Sequence, residues 1–255
     1  MSKKTIDFWV VIALLGISAV FWYVLALKAI FGLSLFTLLP SLYLWYRKGK
    51  NLKKITLGTL LVGLCFGLIF DPIQVLNGSW HTDTLFPSSL FGLPIVIDNI
   101  VGYVVMAFFT LIFYEHFLDD EKKRTLSSRW SKFALLCVGL VALTVLVLLF
   151  HPFELSYSYA RLGFVAALIP VIFLAIKPRL ITKFAVLGSF FFGVWFLAEI
   201  VALSLGNWGY SAPTHYIGWV SLFSISFPLE ELVLWMVCYA AVIVSFYEYF
   251  IDDGK

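Results

Sequence analysis

The chain has 255 residues, of which 62% are hydrophobic, 18% are aromatic and 13% are charged. This balance excludes an ordinary soluble domain, in which about 25% of the residues are charged. The net charge of +3 is small, and the basic residues fall in short clusters between apolar segments, so nucleic acid is not expected as a partner.

Eight apolar runs follow one another along the chain, some of them short for a hydrocarbon layer about 30 Å thick. They cover residues 8–27, 29–46, 55–70, 94–117, 133–150, 162–176, 184–205 and 229–250. The first run follows two lysines, as a signal peptide would, but its apolar core is longer than such a segment needs. The sequence therefore predicts an all-α, polytopic membrane bundle of eight transmembrane helices.

The distribution of positive charge supports this number of helices. With eight spans, 16 of the 18 Lys and Arg residues fall on one side of the membrane, and only Lys28 and Arg161 fall on the other. Positively charged loops face the cytoplasm. We therefore expect an integral protein of a prokaryotic plasma membrane, surrounded by lipid bilayer, with both termini cytoplasmic.

An internal repeat divides the chain. Residues 113–120 (FYEHFLDD) return 133 residues later as 246–253 (FYEYFIDD), with six of eight positions identical. Three further pairs recur at similar offsets: Asp71 with Glu199, Trp80 with Trp208, and Asp98 with Glu231. The pattern indicates a tandem duplication of a four-helix unit, residues 1–124 and 125–255. An even number of helices per unit makes the two copies parallel, with an axis near the membrane normal.

Four acidic residues are expected within the membrane, where a carboxyl group is costly unless it has a function. They are Asp71, Asp98, Glu199 and Glu231. At about 1.5 Å per helical residue, all four lie about 25 Å from the predicted cytoplasmic ends of their helices. Since no Lys or Arg is expected beside them, at least some should be protonated and able to donate a proton. Glu115 and Glu248, by contrast, are expected to end their helices in the headgroup region.

Two adjacent glutamates, Glu230 and Glu231, follow Pro228 at the start of the last apolar run. Proline is common at the first position of a helix, where the backbone dipole also stabilises an ionised carboxylate. Adjacent helical side chains point about 100° apart, so both cannot face one substrate atom. One glutamate is therefore expected to be the working acid and the other a supporting residue, and the sequence leaves open which is which.

The two longest outer loops, residues 77–93 and 206–227, are rich in aromatic side chains. The candidate substrate-binding residues in and next to them are Trp80, Trp208, Tyr210, Trp219 and Pro228. Aromatic residues at this level are typical of a belt at the membrane boundary. They can also form a lid whose ring faces stabilise a carbocation, and the two roles are compatible.

Several motifs of the second half occur together in one known family. They are Trp208-Gly209-Tyr210, Gly218, Pro228-Leu229-Glu230-Glu231, Tyr247-Glu248, and Glu199 nine residues before Trp208. In these the chain resembles the lycopene cyclase domain, the small membrane domain of heterodimeric and fused carotenoid cyclases. The resemblance implies an isomerase without cofactor or metal, in which a carboxylic acid protonates a terminal double bond of a linear carotenoid such as lycopene and an ionone ring closes.

The same resemblance implies which residues act. The implied catalytic residues are Glu230, Glu231, Glu199, Asp71 and Asp98. Other enzymes of carotenoid synthesis are candidate partners. The first half departs from the family pattern, because Pro94 is followed by the single acid Asp98. This leaves open whether both halves are active and which ring forms.

Three alternatives to a cyclase fit the same residues. One is a carotenoid hydratase, in which water captures the cation. Another is a proton-coupled carrier, because intramembrane acids in a duplicated helical bundle also describe proton relays. The last is a membrane scaffold with inherited acids and no activity. The apolar inner halves of the helices argue against a carrier.

Overall fold

The structure is a computed structural model that describes residues 2–48, 52–90, 92–119, 125–150, 155–211, 215–222 and 224–252. Within these ranges, eight helices are long and apolar enough to cross a membrane. The α-helical segments are α1 (Lys3–Val24), α2 (Ala29–Lys48), α3 (Leu52–Leu76), α4 (Ile97–Phe113), α5 (Trp130–Phe150), α6 (Ser158–Ile176), α7 (Ile181–Ser204) and α8 (Met236–Phe246). Together with the turns that adjoin them, α4 and α8 form the spans Ile97–Leu118 and Glu231–Ile251. The predicted number of long apolar helices is confirmed among the residues that the structure describes.

Two of these helices are extended by π-helical turns, in which each backbone hydrogen bond spans five residues instead of four. Tyr114–Leu118 continues α4, Glu231–Trp235 precedes α8, and Tyr247–Ile251 follows α8. Such turns are rare and are frequently found at functional sites. The turn at Glu231 lies beside the cavity described below.

Six short strands form three antiparallel pairs among the described residues. The strands are β1 (Trp80–Thr82), β2 (Pro87–Leu90), β3 (Leu93–Val96), β4 (Trp208–Tyr210), β5 (Trp219–Leu222) and β6 (Ile225–Pro228). The sequence predicted helix from residue 94, whereas Leu93–Val96 is a strand and α4 begins at Ile97. That boundary was wrong because a short apolar run fits a buried strand as well as a helix.

One strand pair joins the two halves of the chain. Strand β1 comes from the first half and β4 from the second, and Trp80 pairs with Tyr210 while Thr82 pairs with Trp208. Each strand follows the end of a long helix, at Gly78 after α3 and at Gly206 after α7, and both glycines have φ near +60°. Glycine ends helices in this left-handed conformation at little cost. The two helix ends thereby direct a tryptophan from each half into one ribbon.

Helices α3 and α4 pack unusually close together. A Cβ atom placed on Gly63 would lie 2.7 Å from the Cα of Val104, and one on Gly67 would lie 3.1 Å from the Cα of Ile100. The two glycines are four residues apart and lie on one face, the spacing that lets membrane helices approach backbone to backbone. This contact positions Asp71, near the end of α3, against the start of α4.

Replacing Gly63 with alanine should destabilise the protein by about 1–3 kcal/mol, because the new methyl group overlaps the backbone of α4. Gly139 on α5 is a matched control, since a Cβ there meets no atom within 4 Å. Gly139→Ala should instead stabilise the helix by about 0.5–1 kcal/mol. Thermal unfolding midpoints in detergent measure both effects. A higher midpoint for Gly63→Ala would contradict the close packing.

At the C-terminal ends of α4 and α8, buried polar groups connect the two halves. The Tyr114 hydroxyl donates to Glu248 at 2.6 Å, and the Tyr247 hydroxyl donates to Glu115. Lys54 Nζ lies 2.5 Å from an oxygen of Asp252 and 3.9 Å from Glu115. Glu115 and Glu248 lie in the π-helical turns that end their helices, and their place in the headgroup region stays a prediction. Both carboxyls are buried in the protein and accept hydrogen bonds from tyrosines of the opposite half.

Candidate functional site

A cavity lies between the two halves, below the β1–β4 ribbon. The centre of a water-sized molecule can occupy about 120 Å³ of it. Its aromatic lining comes from both halves: Phe70, Trp80, Tyr103, Tyr159, Trp195, Trp208, Tyr210, Trp235 and Tyr239. Three carboxylates also line it, namely Asp98, Glu199 and Glu231. An aromatic chamber with a few convergent polar groups is the usual form of a ligand site.

Glu199 projects from α7 and is held by the strand that follows this helix. Trp208 Nε1 donates to one carboxylate oxygen at 3.1 Å, and the Tyr210 hydroxyl donates to the other at 2.8 Å. Burial, followed by the negative charge of Glu199, raises the pKa of Tyr210 well above its ordinary value. Tyr210 therefore remains a neutral phenol and a permanent donor to Glu199. The turn at Gly206 makes these contacts possible by reversing the chain after α7.

Glu231 enters the same cavity from the π-helical turn before α8. The Tyr159 hydroxyl, from α6, donates to it, and Tyr210 lies close to it as well. Glu199 and Glu231 therefore line one cavity, and Tyr210, which donates to Glu199, lies beside both of them. The second half thus supplies a pair of carboxyls surrounded by tyrosine and tryptophan donors.

The first half supplies a different pair at the corresponding place. Asp71 is fully buried, accepts a hydrogen bond from Asn99 Nδ2 at 2.7 Å, and has Trp80 beside it. Asn99 lines the cavity and Asp71 lies behind it. Asp71 thus has an amide as its neighbour on the cavity wall, whereas Glu199 shares the wall with the carboxyl of Glu231.

Asp98 and Glu230 make matching contacts with the preceding loops. Asp98 accepts from the backbone N–H of Leu85 at 2.6 Å, and Glu230 accepts from the N–H of Ile217 at 2.6 Å. Each acid lies 13 residues after its donor. The sequence offset of 133 paired Asp98 with Glu231, whereas these contacts pair it with Glu230. Asp98 precedes Tyr114 by 16 residues, whereas Glu230 precedes Tyr247 by 17, and the π-helical turn Glu231–Trp235 lies within this longer stretch.

The structure brings six of the ten predicted site residues to the cavity wall. They are Trp80, Asp98, Glu199, Trp208, Tyr210 and Glu231. Asp71 does not line the cavity, because Asn99, which donates to it, lies between Asp71 and the cavity. Trp219 and Pro228 pair with each other in the β5–β6 hairpin, and Trp219 is 38% exposed. Glu230 follows this hairpin and is buried under the preceding loop. Of the two adjacent glutamates, Glu231 faces the cavity.

Sequence reasoning missed several wall residues. Tyr159 was overlooked because the predicted helix began at residue 162, whereas α6 begins at Ser158. Asn99 was overlooked because it carries no charge. It becomes a candidate only when Asp98 is matched with Glu230, since Asn99 then matches Glu231. Tyr103, Trp235 and Tyr239 lie on apolar runs, where an aromatic residue gives no sign that it faces a cavity.

A group of carboxylates with the spacing of a cation site lies outside the cavity. Oxygens of Glu115, Asp119 and Asp252 lie within 4.8 Å of one another, and all three residues are buried. The Lys54 ammonium already bonds Asp252 and therefore supplies positive charge to this cluster. The cavity itself offers carboxyl, phenol, indole and amide groups, which suit proton transfer.

No protein-family model, curated protein or solved structure matches this chain. A function must therefore be inferred from the chemistry of the cavity. The relevant features are the carboxyls of Glu199 and Glu231 on one cavity wall, the tyrosine hydroxyls that donate to them, and the surrounding aromatic faces.

Proposed function

We propose that this protein is an integral-membrane carotenoid end-group cyclase. It protonates a terminal double bond of lycopene or a similar linear carotenoid, and the resulting cation closes to an ionone ring without redox change. The observation that carries the proposal is the Glu199–Glu231 carboxyl pair in an aromatic cavity between apolar helices. The resemblance of the second half to the lycopene cyclase domain supports the same reaction.

The cavity suits a hydrocarbon substrate. A polyene offers no phosphate, carbonyl or hydroxyl group, so its recognition depends on apolar contact and its activation on an acid. Aromatic faces attract a cation by about 0.5–2 kcal/mol each. The rings of Tyr159 and Trp235 lie 5.5 Å apart on one wall, with Phe70 4.4 Å from Trp235. Such a wall can stabilise a carbocation without reacting with it.

The carboxyls of Glu199 and Glu231 can supply the acid that the reaction needs. Two carboxyls on the wall of one aromatic cavity repel each other when both are ionised, so one of them is expected to hold a proton. Phenol and indole groups donate to Glu199, and Tyr159 donates to Glu231, so both carboxyls are held in defined positions. We assign Glu231 as the proton donor, Glu199 as its partner, and Glu230 as the anchor of the preceding loop.

We also propose the repeat and the orientation predicted from the sequence. Two four-helix units, residues 1–124 and 125–255, would place both termini on the cytoplasmic side of a prokaryotic plasma membrane. Reciprocal bonds support the duplication, because Tyr114 donates to Glu248 while Tyr247 donates to Glu115. The matching loop contacts of Asp98 and Glu230 support it as well. On this view only the second half places two carboxyls, those of Glu199 and Glu231, on the cavity wall.

Expression in a lycopene-accumulating bacterium tests the proposal. Membranes that contain the protein should convert lycopene to a product of equal mass that carries one or two rings, detected by chromatography and mass spectrometry. Membranes with an empty vector are the control. A hydroxylated, uncyclised product would contradict the cyclase and indicate a hydratase. Unchanged lycopene beside abundant folded protein would contradict both.

Replacing Tyr159 with phenylalanine should lower ring formation about 10- to 100-fold, since a hydrogen bond to an ionisable group is worth about 1.5–3 kcal/mol. The variant keeps the ring that packs against Trp235 and loses only the hydroxyl that donates to Glu231. Tyr157→Phe is the matched control, because Tyr157 is 43% exposed two residues earlier. Cyclised pigment per amount of protein gives the measurement. Equal activity of the two variants would contradict a role for the Tyr159 hydroxyl.

A further inference from the structure

We infer that Asp98 accepts the proton that leaves the cyclised cation, and that it thereby selects the position of the ring double bond. This inference rests on the proposed function. Cyclisation by protonation adds one proton to the substrate and removes another from a different carbon. A second carboxyl, placed elsewhere in the cavity, can perform the removal.

Asp98 has the position and the free oxygen that this role requires. It lies in the first turn of α4, lines the cavity and is only 3% exposed. Oδ2 accepts from the Leu85 N–H, while Oδ1 has no hydrogen-bond partner within the described part of the chain. A buried acceptor without a partner is costly in a native protein and calls for an explanation. A role in accepting a proton from the substrate cation would explain why this oxygen has no partner.

Glu230 shows which part of this arrangement is structural. It makes the same contact with a backbone N–H, that of Ile217, and it likewise has one oxygen with no partner among the described residues. Glu230 does not line the cavity, although Asp98 does. Anchoring a loop therefore requires only the contact that both acids make. Access to the cavity distinguishes Asp98 and is what proton removal needs.

The donor and the acceptor belong to different halves of the chain. Glu231 and Glu199 line the cavity from the second half, and Asp98 lines it from the first, next to Asn99. Since Asn99 is an amide that donates to Asp71, it does not compete for the proton. The asymmetry between the halves gives the cavity one side that supplies a proton and another that receives one.

The reaction balances without another reactant. The O–H bond of Glu231 breaks, and its proton forms a C–H bond at the terminal double bond of the polyene. The cation is attacked by a second double bond of the chain, which forms the C–C bond of the ring. A C–H bond beside the new cation then breaks, its electrons form the ring double bond, and the proton passes to Asp98. Its return to the Glu199–Glu231 pair completes the cycle.

The test compares Asp98→Asn with Glu230→Gln in lycopene-containing membranes. The readout is the ratio of ring isomers that differ in double-bond position, measured by chromatography with authentic standards. Asp98→Asn should form the wild-type isomer at least tenfold less and should change the ratio. Glu230→Gln, which alters the matching loop contact, should keep the wild-type ratio whatever its yield. A structural role for Asp98 would lower all isomers equally.

An unchanged ratio in Asp98→Asn would overturn the assignment of Asp98 while leaving the cyclase intact. If Asp98→Asn does not accumulate, Asp98→Glu decides instead, because its carboxyl is displaced by one methylene group and should remove a proton from another carbon. The wild-type ratio in Asp98→Glu would then overturn the inference. Absence of any ring product from the wild-type protein would overturn the proposed function and this inference together.

Discussion

Glu231→Gln should lower ring formation roughly 10²–10⁴-fold, which is the usual contribution of a general acid. Glutamine has the size of glutamate, and its carbonyl oxygen can still accept the hydrogen bond from Tyr159. It cannot donate a proton of useful acidity. The cavity should therefore keep its shape while the first step of the reaction fails. Cyclised pigment per amount of purified protein is the measurement.

The adjacent residue provides the control for this variant. Glu230→Gln makes the same chemical change one position earlier, on a side chain that is buried under the loop and away from the cavity. It should retain at least a third of the wild-type ring product. Loss of activity in Glu230→Gln with full activity in Glu231→Gln would reverse the assignment of the working acid. Full activity in both would remove these carboxyls from the mechanism.

Lys54→Met should destabilise the folded protein by about 3–5 kcal/mol, the cost of removing one partner from a buried ion pair. Lys54 is 1% exposed and bonds Asp252, which is 3% exposed and lies 198 residues later in the sequence. Methionine fills a similar volume but leaves the Asp252 carboxylate without this positive charge. The expected result is a lower midpoint of thermal unfolding in detergent.

Lys53 is the matched control for Lys54, because it is the preceding residue and its side chain is exposed. Lys53→Met removes the same charge from the surface and should change the stability by less than about 0.5 kcal/mol. The double variant Lys54→Met with Asp252→Asn should recover part of the loss, since it removes both charges. Equal midpoints for Lys53→Met and Lys54→Met would contradict the buried ion pair.

The helices could be predicted because lipid imposes a simple requirement. A span needs about 20 apolar residues, and its loops carry positive charge on one side, so composition alone defines the bundle. Helix α5 shows this most directly, since only Phe133, Cys137 and Leu148 of its 21 residues are buried. Such a helix is specified by its apolar surroundings rather than by particular partners.

The details of the site depend on partners that are distant in sequence. Glu230 is held by the Ile217 N–H, while the turn Tyr247–Ile251 is held through contacts with the other half. The offsets between the halves are 132 residues at the first place and 133 at the second. The π-helical turn Glu231–Trp235 lies between these two places. The hydrophobic periodicity of the sequence does not reveal this π-helical turn, so it could not decide whether Glu230 or Glu231 faces the cavity.

The bonds that join the two halves also set an order of events during synthesis. Asp252 lies 198 residues after Lys54, and Glu248 lies 134 residues after Tyr114. At about 5–20 residues per second, Asp252 leaves the ribosome roughly 10–40 s after Lys54. The first four helices are therefore synthesised well before the residues that bond them at the end of α8. During this interval, the buried groups of the first half must be accommodated without these later partners.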